Sequence, residues 1–335
     1  MLRRMRHRTP NALADRNGVG VARVDASRGE GYPRRQGEQP VDEIETPPGK
    51  SAGDENFPVG SWLLPARLRP HVAAFYQFAR GADDIADNPD LTPQVKVAQL
   101  DRMAMTLGGT ATDDHAAGIA EKMRTSLTTT GVTDQHCFDL LDAFRQDATQ
   151  SRYEDWEELM AYCARSADPV GRYLLDLHGE DPAEYAASDP LCSALQIINH
   201  LQDAKEDYRT LDRVYVPLDW MTTEGLDVAA LGSAVSDARL RAVLNQCLDR
   251  VDALLERARP LPLLLRSGRL ALESAVILSL ARDLAAALRT QDPIAARVAH
   301  GRTGFIVHAS TGVLGALVRR ALPGRTASRV AAPPR

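Results

Sequence analysis

"ARLRPHVAAFYQFARGADDIADNP", residues 66 to 89, decides the fold class. Leu68, Val72, Phe75 and Ala79 recur at three- and four-residue steps, the period of a helix that buries one face. Pro70 lies near the start, where its missing N–H costs nothing, and Asn88-Pro89 ends the run. The spacing predicts a helix over residues 66 to 87. Its other face carries Tyr76, Arg80, Asp83 and Asp87 at the same steps, with Asp84 alongside.

Outward from this stretch the chain reads as helix after helix. Similar patterns cover 94 to 108, 115 to 130, 134 to 147, 156 to 178, 190 to 209, 236 to 257 and 270 to 289. Period-two alternation bounded by turns is nearly absent, and no internal repeat of fixed period is seen. The expected fold class is therefore all-α. No Pro/Gly/Ser linker interrupts residues 55 to 300, which favours one large helical bundle over two domains. "LALESAVILSLARDLAAAL", residues 270 to 288, is broken by Glu273, Arg282 and Asp283 and reads as a core helix, not a bilayer span.

Composition bounds the function. The 335 residues are 44% hydrophobic and 25% charged, as in globular proteins, and the formal net charge of -5 argues against nucleic acid as a partner. Cys137, Cys163, Cys192 and Cys247 are far apart with no Cys-x-x-Cys pair, which fits a reduced, cytoplasmic chain. Residues 1 to 36 hold nine arginines against three acids, and residues 1 to 53 are expected to form a disordered basic leader without a secretory signal. The plainer reading is a wrongly assigned start or a dispensable tail; an arginine-rich arm touching anionic lipid is the alternative. Residues 301 to 335 are expected to be a C-terminal helix and a loose tail.

A second acidic stripe lies in "NHLQDAKEDYR", residues 199 to 209, with Asn199, Asp203 and Asp207 one turn apart. Spacing alone is weak, because a chain with this many aspartates would hold such pairs by chance. The setting is more informative: like charges at i, i+4 repel on a helix and call for a compensating cation. Magnesium takes oxygen ligands, commonly one or two carboxylates with waters and substrate phosphates. Two carboxylate stripes with arginines nearby would hold a magnesium-bridged diphosphate. The plain alternative is a solvated helix end with inert aspartates. A di-iron bundle would want Glu-x-x-His, a spacing this chain lacks.

Three segments, residues 55 to 89, "YCARSADPVGRYLL" at 162 to 175 and "LQIINHLQDAKEDYRTLDRVYVPLDWM" at 195 to 221, resemble the squalene/phytoene synthase family of head-to-head prenyl transferases. Within it the likeness is greatest to the branch that makes hydroxysqualene in bacterial hopanoid pathways. It runs in order over roughly residues 54 to 300, the expected catalytic domain. It implies the class I terpenoid synthase fold, a helical bundle with a central cavity and two facing Asp-x-x-x-Asp motifs. Asp83, Asp84 and Asp87, then Asn199, Asp203 and Asp207, match magnesium positions. Tyr76, Arg80, Gln196, Arg213 and Tyr215 match positions that bind or line the diphosphate. Tyr162 matches a tyrosine that acts as proton relay or cation stabiliser; from the residue alone, a core tyrosine is an equal reading.

Two departures bear on the reaction. Relatives that condense two farnesyl diphosphates commonly carry Ser-x-Ser/Thr-Phe near the amino end and Arg-Asp before the second motif; here stand Glu55-Asn56-Phe57 and Gln202-Asp203. Losing an arginine removes a potentially bidentate phosphate contact, which suits a single, already condensed diphosphate. The resemblance thus implies a carbon–oxygen lyase that ionises presqualene diphosphate, rearranges the cation and adds water. No Gly-x-Gly-x-x-Gly unit follows a strand, so NADPH is not expected. Tyr162, His200 and Gln202 are candidates for positioning the water. The alternatives are a presqualene diphosphate or phytoene synthase that condenses two prenyl diphosphates and, more remotely, a non-catalytic helical partner of neighbouring pathway enzymes. Loose contact with the inner face of the membrane is expected from the greasy substrate.

Overall fold

A computed structural model describes residues 64–110 and 115–298, and the expectations for the leader, the C-terminal tail and Glu55-Asn56-Phe57 lie outside these residues. Eleven helices occupy the described chain: α1 Arg69–Ala86, α2 Pro93–Leu107, α3 His115–Thr130, α4 Gln135–Thr149, α5 Trp156–Ser166, α6 Asp168–His178, α7 Tyr185–Leu211, α8 Leu218–Thr223, α9 Ala238–Ala258, α10 Leu261–Leu264 and α11 Gly268–Thr290. Among the described residues there is no strand, only an isolated parallel bridge between Arg152 and Val214. No described helix is long and apolar enough to cross a membrane.

Local chemistry explains the helix starts. Thr92, Asp155, Asp237 and Ser267 each accept a backbone N–H of the first turn of α2, α5, α9 and α11, satisfying donors that have no partner within the helix. The stretch expected as one helix over 156 to 178 is two. Ala167, at φ -122° and ψ -50°, separates α5 from α6, and Pro169 follows inside the first turn of α6, where proline is tolerated. The helix expected from 190 begins five residues earlier, at Tyr185. It runs through Pro190, which cannot bond the carbonyl of the exposed Ala186.

The apolar interior has two parts. One is built by α5, α7, α9 and α11, with Leu159, Ile197, Val251 and Leu284 among its fully buried members. The other joins α1 to α4 and α6 through Phe78, Leu100, Met123, Leu141 and Tyr173. Phe75 of α1 stacks on Tyr173 of α6 with ring centroids 4.0 Å apart, so the apolar face of α1 is seated and its acidic face turns the other way. Helices α6 and α7 touch at Gly171, where a Cβ would stand 2.5 Å from Ser188 Oγ and 2.6 Å from Cys192 Sγ.

The chain after α7 is the part of the fold that completes the site. Asp212 closes α7 in the left-handed conformation at φ 51°, and Arg152 holds both its backbone carbonyl and its carboxylate. Val214 N then donates to Ser151 O at 2.9 Å and Leu218 N to Tyr153 O at 3.1 Å, laying residues 213 to 217 against the α4–α5 connection. Beyond α11, Lys205 Nζ donates to Ile294 O at 2.8 Å and Gln202 to the Val298 carbonyl, which ties residues 292 to 298 to the last turns of α7.

Candidate functional site

The acidic face of α1 is organised by arginines. Arg80 Nη1 reaches Asp83 Oδ2 at 2.8 Å and its Nη2 reaches Asp84 Oδ1 at 3.0 Å. Asp87, the C-cap of α1, is met by Arg213 Nη1 at 2.5 Å, while Arg213 Nη2 donates to Ala86 O at 3.0 Å. The same Ala86 carbonyl accepts Lys96 Nζ of α2 at 2.7 Å. On α7, Asp203 Oδ1 pairs with Arg297 Nε at 3.0 Å. Asn199 and Tyr76 are half-buried on the faces that carry these aspartates.

The two stripes are electrically in contact. Burial pushes the Asp207 carboxyl up to about 8, and Asp203 and Asp87 push it the same way. Burial, then the neighbouring Asp87, raises Asp83 to about 7 against the pull of Arg80. Asp87, at the end of the α1 stripe, thus burdens Asp83 on its own helix and Asp207 on α7.

Near the carboxylates lies an aromatic cluster of the sequence candidates Tyr162, Tyr215 and His200, gathered on a residue that is not among those candidates. Its centre is Asp147 of α4, which accepts the Tyr162 hydroxyl at 2.7 Å and the Tyr215 hydroxyl at 3.0 Å. Burial raises Asp147 to about 6, although Arg213 and the two tyrosine hydroxyls favour its charged form. Burial and then Asp147 hold the Tyr162 and Tyr215 hydroxyls protonated far above the ordinary tyrosine range. The His200 ring stacks on Tyr215 at 3.5 Å between centroids, and burial followed by Arg213 lowers its pKa to about 3. His200 is therefore neutral. With Nε2 accepting from Gln196 Nε2 at 3.1 Å, the proton sits on Nδ1, and the 4.0 Å separation from Asp207 is not an ion pair.

The structure gathers Asp83, Asp84, Asp87, Arg80 and Arg213 at the end of α1, and Tyr162, Tyr215, His200 and Gln196 around Asp147. Gln202 is buried and spends an N–H on Val298 O, which turns its amide toward the C-terminal segment. Asp147, Lys96 and Arg297 were missed, since their partners are remote in sequence. The only signal was indirect: a carboxylate followed 15 positions later by the tyrosine it accepts.

As for a metal, no three His, Cys, Asp or Glu side chains among the described residues converge into a metal-binding group. The aspartates are instead paired with arginines. Their chemistry nonetheless fits a hard divalent cation: every donor is an oxygen, and Asp83 and Asp207, raised first by burial and then by neighbouring carboxylates, would be relieved by a positive charge placed between them.

Helices carrying two Asp-x-x-x-Asp pairs flanked by arginines are the arrangement expected of a class I isoprenoid synthase, and comparison with known proteins bears the class out. The squalene/phytoene synthase family model matches residues 50–303, and the chain belongs to that family. It is 42% identical over 273 residues to the hydroxysqualene synthase of Rhodopseudomonas palustris, covering 81% of this chain and 92% of that one. To the hydroxysqualene synthase of Sinorhizobium fredii it is 39% identical over 268 residues, covering 80% and 91%. Among solved structures, the squalene synthase HpnC from Alicyclobacillus acidocaldarius superposes with a TM-score of 0.62 at 30% identity, over 72% of this chain and 90% of that one. A dehydrosqualene synthase with a TM-score of 0.64 at 23% identity shares the fold.

Proposed function

We propose that the chain is a hydroxysqualene-forming lyase: it ionises presqualene diphosphate, lets the cyclopropylcarbinyl cation rearrange, and adds water to give hydroxysqualene and diphosphate. The class of enzyme follows from the family; the reaction rests on the likeness to hydroxysqualene synthases over most of both chains. One structural observation supports a single diphosphate over two. Position 202, next to the second aspartate motif, carries a neutral glutamine whose amide is engaged with Val298, so that side chain offers no cation to a second phosphate.

In this reading Asp83, Asp87, Asn199, Asp203 and Asp207, with Asp84 beside them, hold magnesium, which when bound supplies Lewis-acid neutralisation of the departing diphosphate. Arg80, Arg213 and Arg297 are already placed on these carboxylates and would supply positive charge to the diphosphate beside the metal. Tyr76 and Gln196 complete the polar lining. Tyr162, Tyr215 and neutral His200, packed on one another, supply an aromatic environment for a carbocation without adding a like charge. Asp147 fixes the two tyrosine rings and adds a negative charge behind them, so the cluster is oriented before substrate arrives.

The test is to incubate the protein and Mg²⁺ with presqualene diphosphate, and separately with farnesyl diphosphate, and to identify the lipid products by mass spectrometry. Hydroxysqualene from the first and no product from the second is the expected result. Presqualene diphosphate formed from farnesyl diphosphate would replace this reading with the condensing one.

A further inference from the structure

We propose that the turn around α10 is a docking surface for an anionic lipid bilayer, with Leu263 and Leu264 entering the interface and Arg257, Arg259, Arg266 and Arg269 facing the headgroups. It deepens the proposed function, because it concerns how a lipid-soluble substrate and product reach the site.

Leu263 is 50% exposed and Leu264 39%, two adjacent large apolar side chains left in water at the tip of a tight turn. The turn holds them there. Leu261 and Leu265 on either side are buried, Leu263 N donates to Pro260 O at 2.9 Å, and Glu180 accepts the N–H groups of Arg266 and Ser267 at 2.8 and 2.7 Å. A rigid exposed apolar pair marks a contact surface more often than a scattered single leucine does.

Charge selects the occupant. The chain carries a formal charge of -5, yet residues 256 to 269 hold four arginines and one acid, Glu256. All four arginines are exposed. Arg259 and Arg266 make only long surface pairs, each 3.5 Å, with Glu256 and Asp181, and such pairs are weak in water. Exposed leucines flanked in the chain by exposed arginines on both sides fit the boundary between acyl chains and anionic headgroups.

The surface is also at the appropriate end of the bundle. Glu180, just before α7, caps the start of α11, whereas the chain beyond α11 is tied to Gln202 and Lys205 near the end of α7. Helices α7 and α11 therefore run in the same direction. The α10 turn lies beside the start of α7, roughly 33 Å along the helix from Asp207. The diphosphate end can thus face water while the opposite end meets lipid.

The experiment is vesicle flotation of the full chain, without substrate, on phosphatidylcholine alone and on phosphatidylcholine mixed with phosphatidylglycerol. Flotation is expected with the anionic vesicles only, and to be released by high salt as the headgroup charge is screened. Both a Leu263→Ser/Leu264→Ser variant and an Arg259→Gln/Arg266→Gln variant should float about tenfold less. Each should keep wild-type helix content and wild-type turnover of detergent-dispersed presqualene diphosphate. Flotation of both variants equal to wild type would overturn the proposal and assign the contact to another segment. Equal wild-type binding to neutral vesicles, or none to either, would also overturn it. So would self-association without vesicles that the leucine variant abolishes, which would assign the surface to a second copy. Product formation in detergent is read separately, so failure of the docking surface and failure of the proposed reaction are distinguishable.

Discussion

Arg213 and Asp87 meet at 2.5 Å although they stand 126 positions apart in the chain. The same guanidinium donates to Ala86 O, so the segment after α7 is latched to the final turn of α1. Burial opposes the charge on Arg213, but Tyr215, Asp147 and Asp87 outweigh it and keep the group firmly cationic. The latch ties the chain that follows the second aspartate pair to the helix that carries the first.

Arg213→Lys keeps the charge and loses the second set of N–H groups, so Asp87 and Ala86 can no longer be held together. The expected result is a fall in kcat/KM of about 10- to 100-fold with unchanged helix content by circular dichroism. Wild-type kcat/KM in the lysine variant would show that the latch has no part in turnover.

Asp83→Asn and Asp207→Asn should each lower turnover at least about a hundredfold, as expected when a carboxylate that binds an essential cation is removed. Stability should move the other way. Folded-state values of about 7 and about 8, against 3.8 unfolded, mean the fold binds these protons more tightly. Their contribution is therefore present below about pH 4 and lost as pH rises through the folded values. At pH 8 in the absence of metal both variants should melt at or above the wild-type temperature. Unchanged turnover would remove these carboxylates from the mechanism.

Asp147→Asn retains the shape of the side chain but replaces a carboxylate acceptor with an amide, weakening the anchors of Tyr162 and Tyr215 together. We expect kcat to fall about 10- to 100-fold. The hydroxysqualene share of the products should also drop, because the aromatic cluster loses its fixed orientation and the charge behind it. A variant with low kcat and wild-type product distribution would limit Asp147 to supporting the fold.

Glu273 of α11 is only 6% exposed, its Oε2 has no hydrogen-bond partner, and burial raises its carboxyl from 4.5 to about 7. The folded form holds the proton more tightly, so stability falls between about pH 4.5 and 7 as the buried group ionises. Glu273→Gln should raise stability at pH 8 by up to about 3 kcal/mol and leave it nearly unchanged at pH 4. Thermal melts at the two values decide it, and an equal shift at both would mean that packing, not ionisation, sets the effect.

Much of the architecture could be read from the residues because helix periodicity is a local signal. Leu68, Val72 and Phe75 announce α1, and the broken apolar run at 270 to 288 falls within α11. The break at Ala167 stayed hidden, since Pro169 is compatible with a helix start and the apolar spacing continues across it. Tyr76, Arg80 and the aspartates could be named from their shared face and from family likeness. Asp147 could not, because its meaning depends on α4, α5 and the chain after α7 packing together. Arg297 is likewise 94 positions from Asp203, and no spacing rule reaches that far.

The pairing of Arg80, Arg213 and Arg297 with Asp83, Asp84, Asp87 and Asp203 makes the site a small ion exchanger whose resting counter-ions are part of the chain. A divalent cation held by these carboxylates would compete with the arginines, and each arginine so released would be available to an anion. Cation and diphosphate should therefore bind cooperatively, each weakly alone. A chelator should abolish turnover while the melting temperature barely moves, because the chain supplies its own substitute for what is removed.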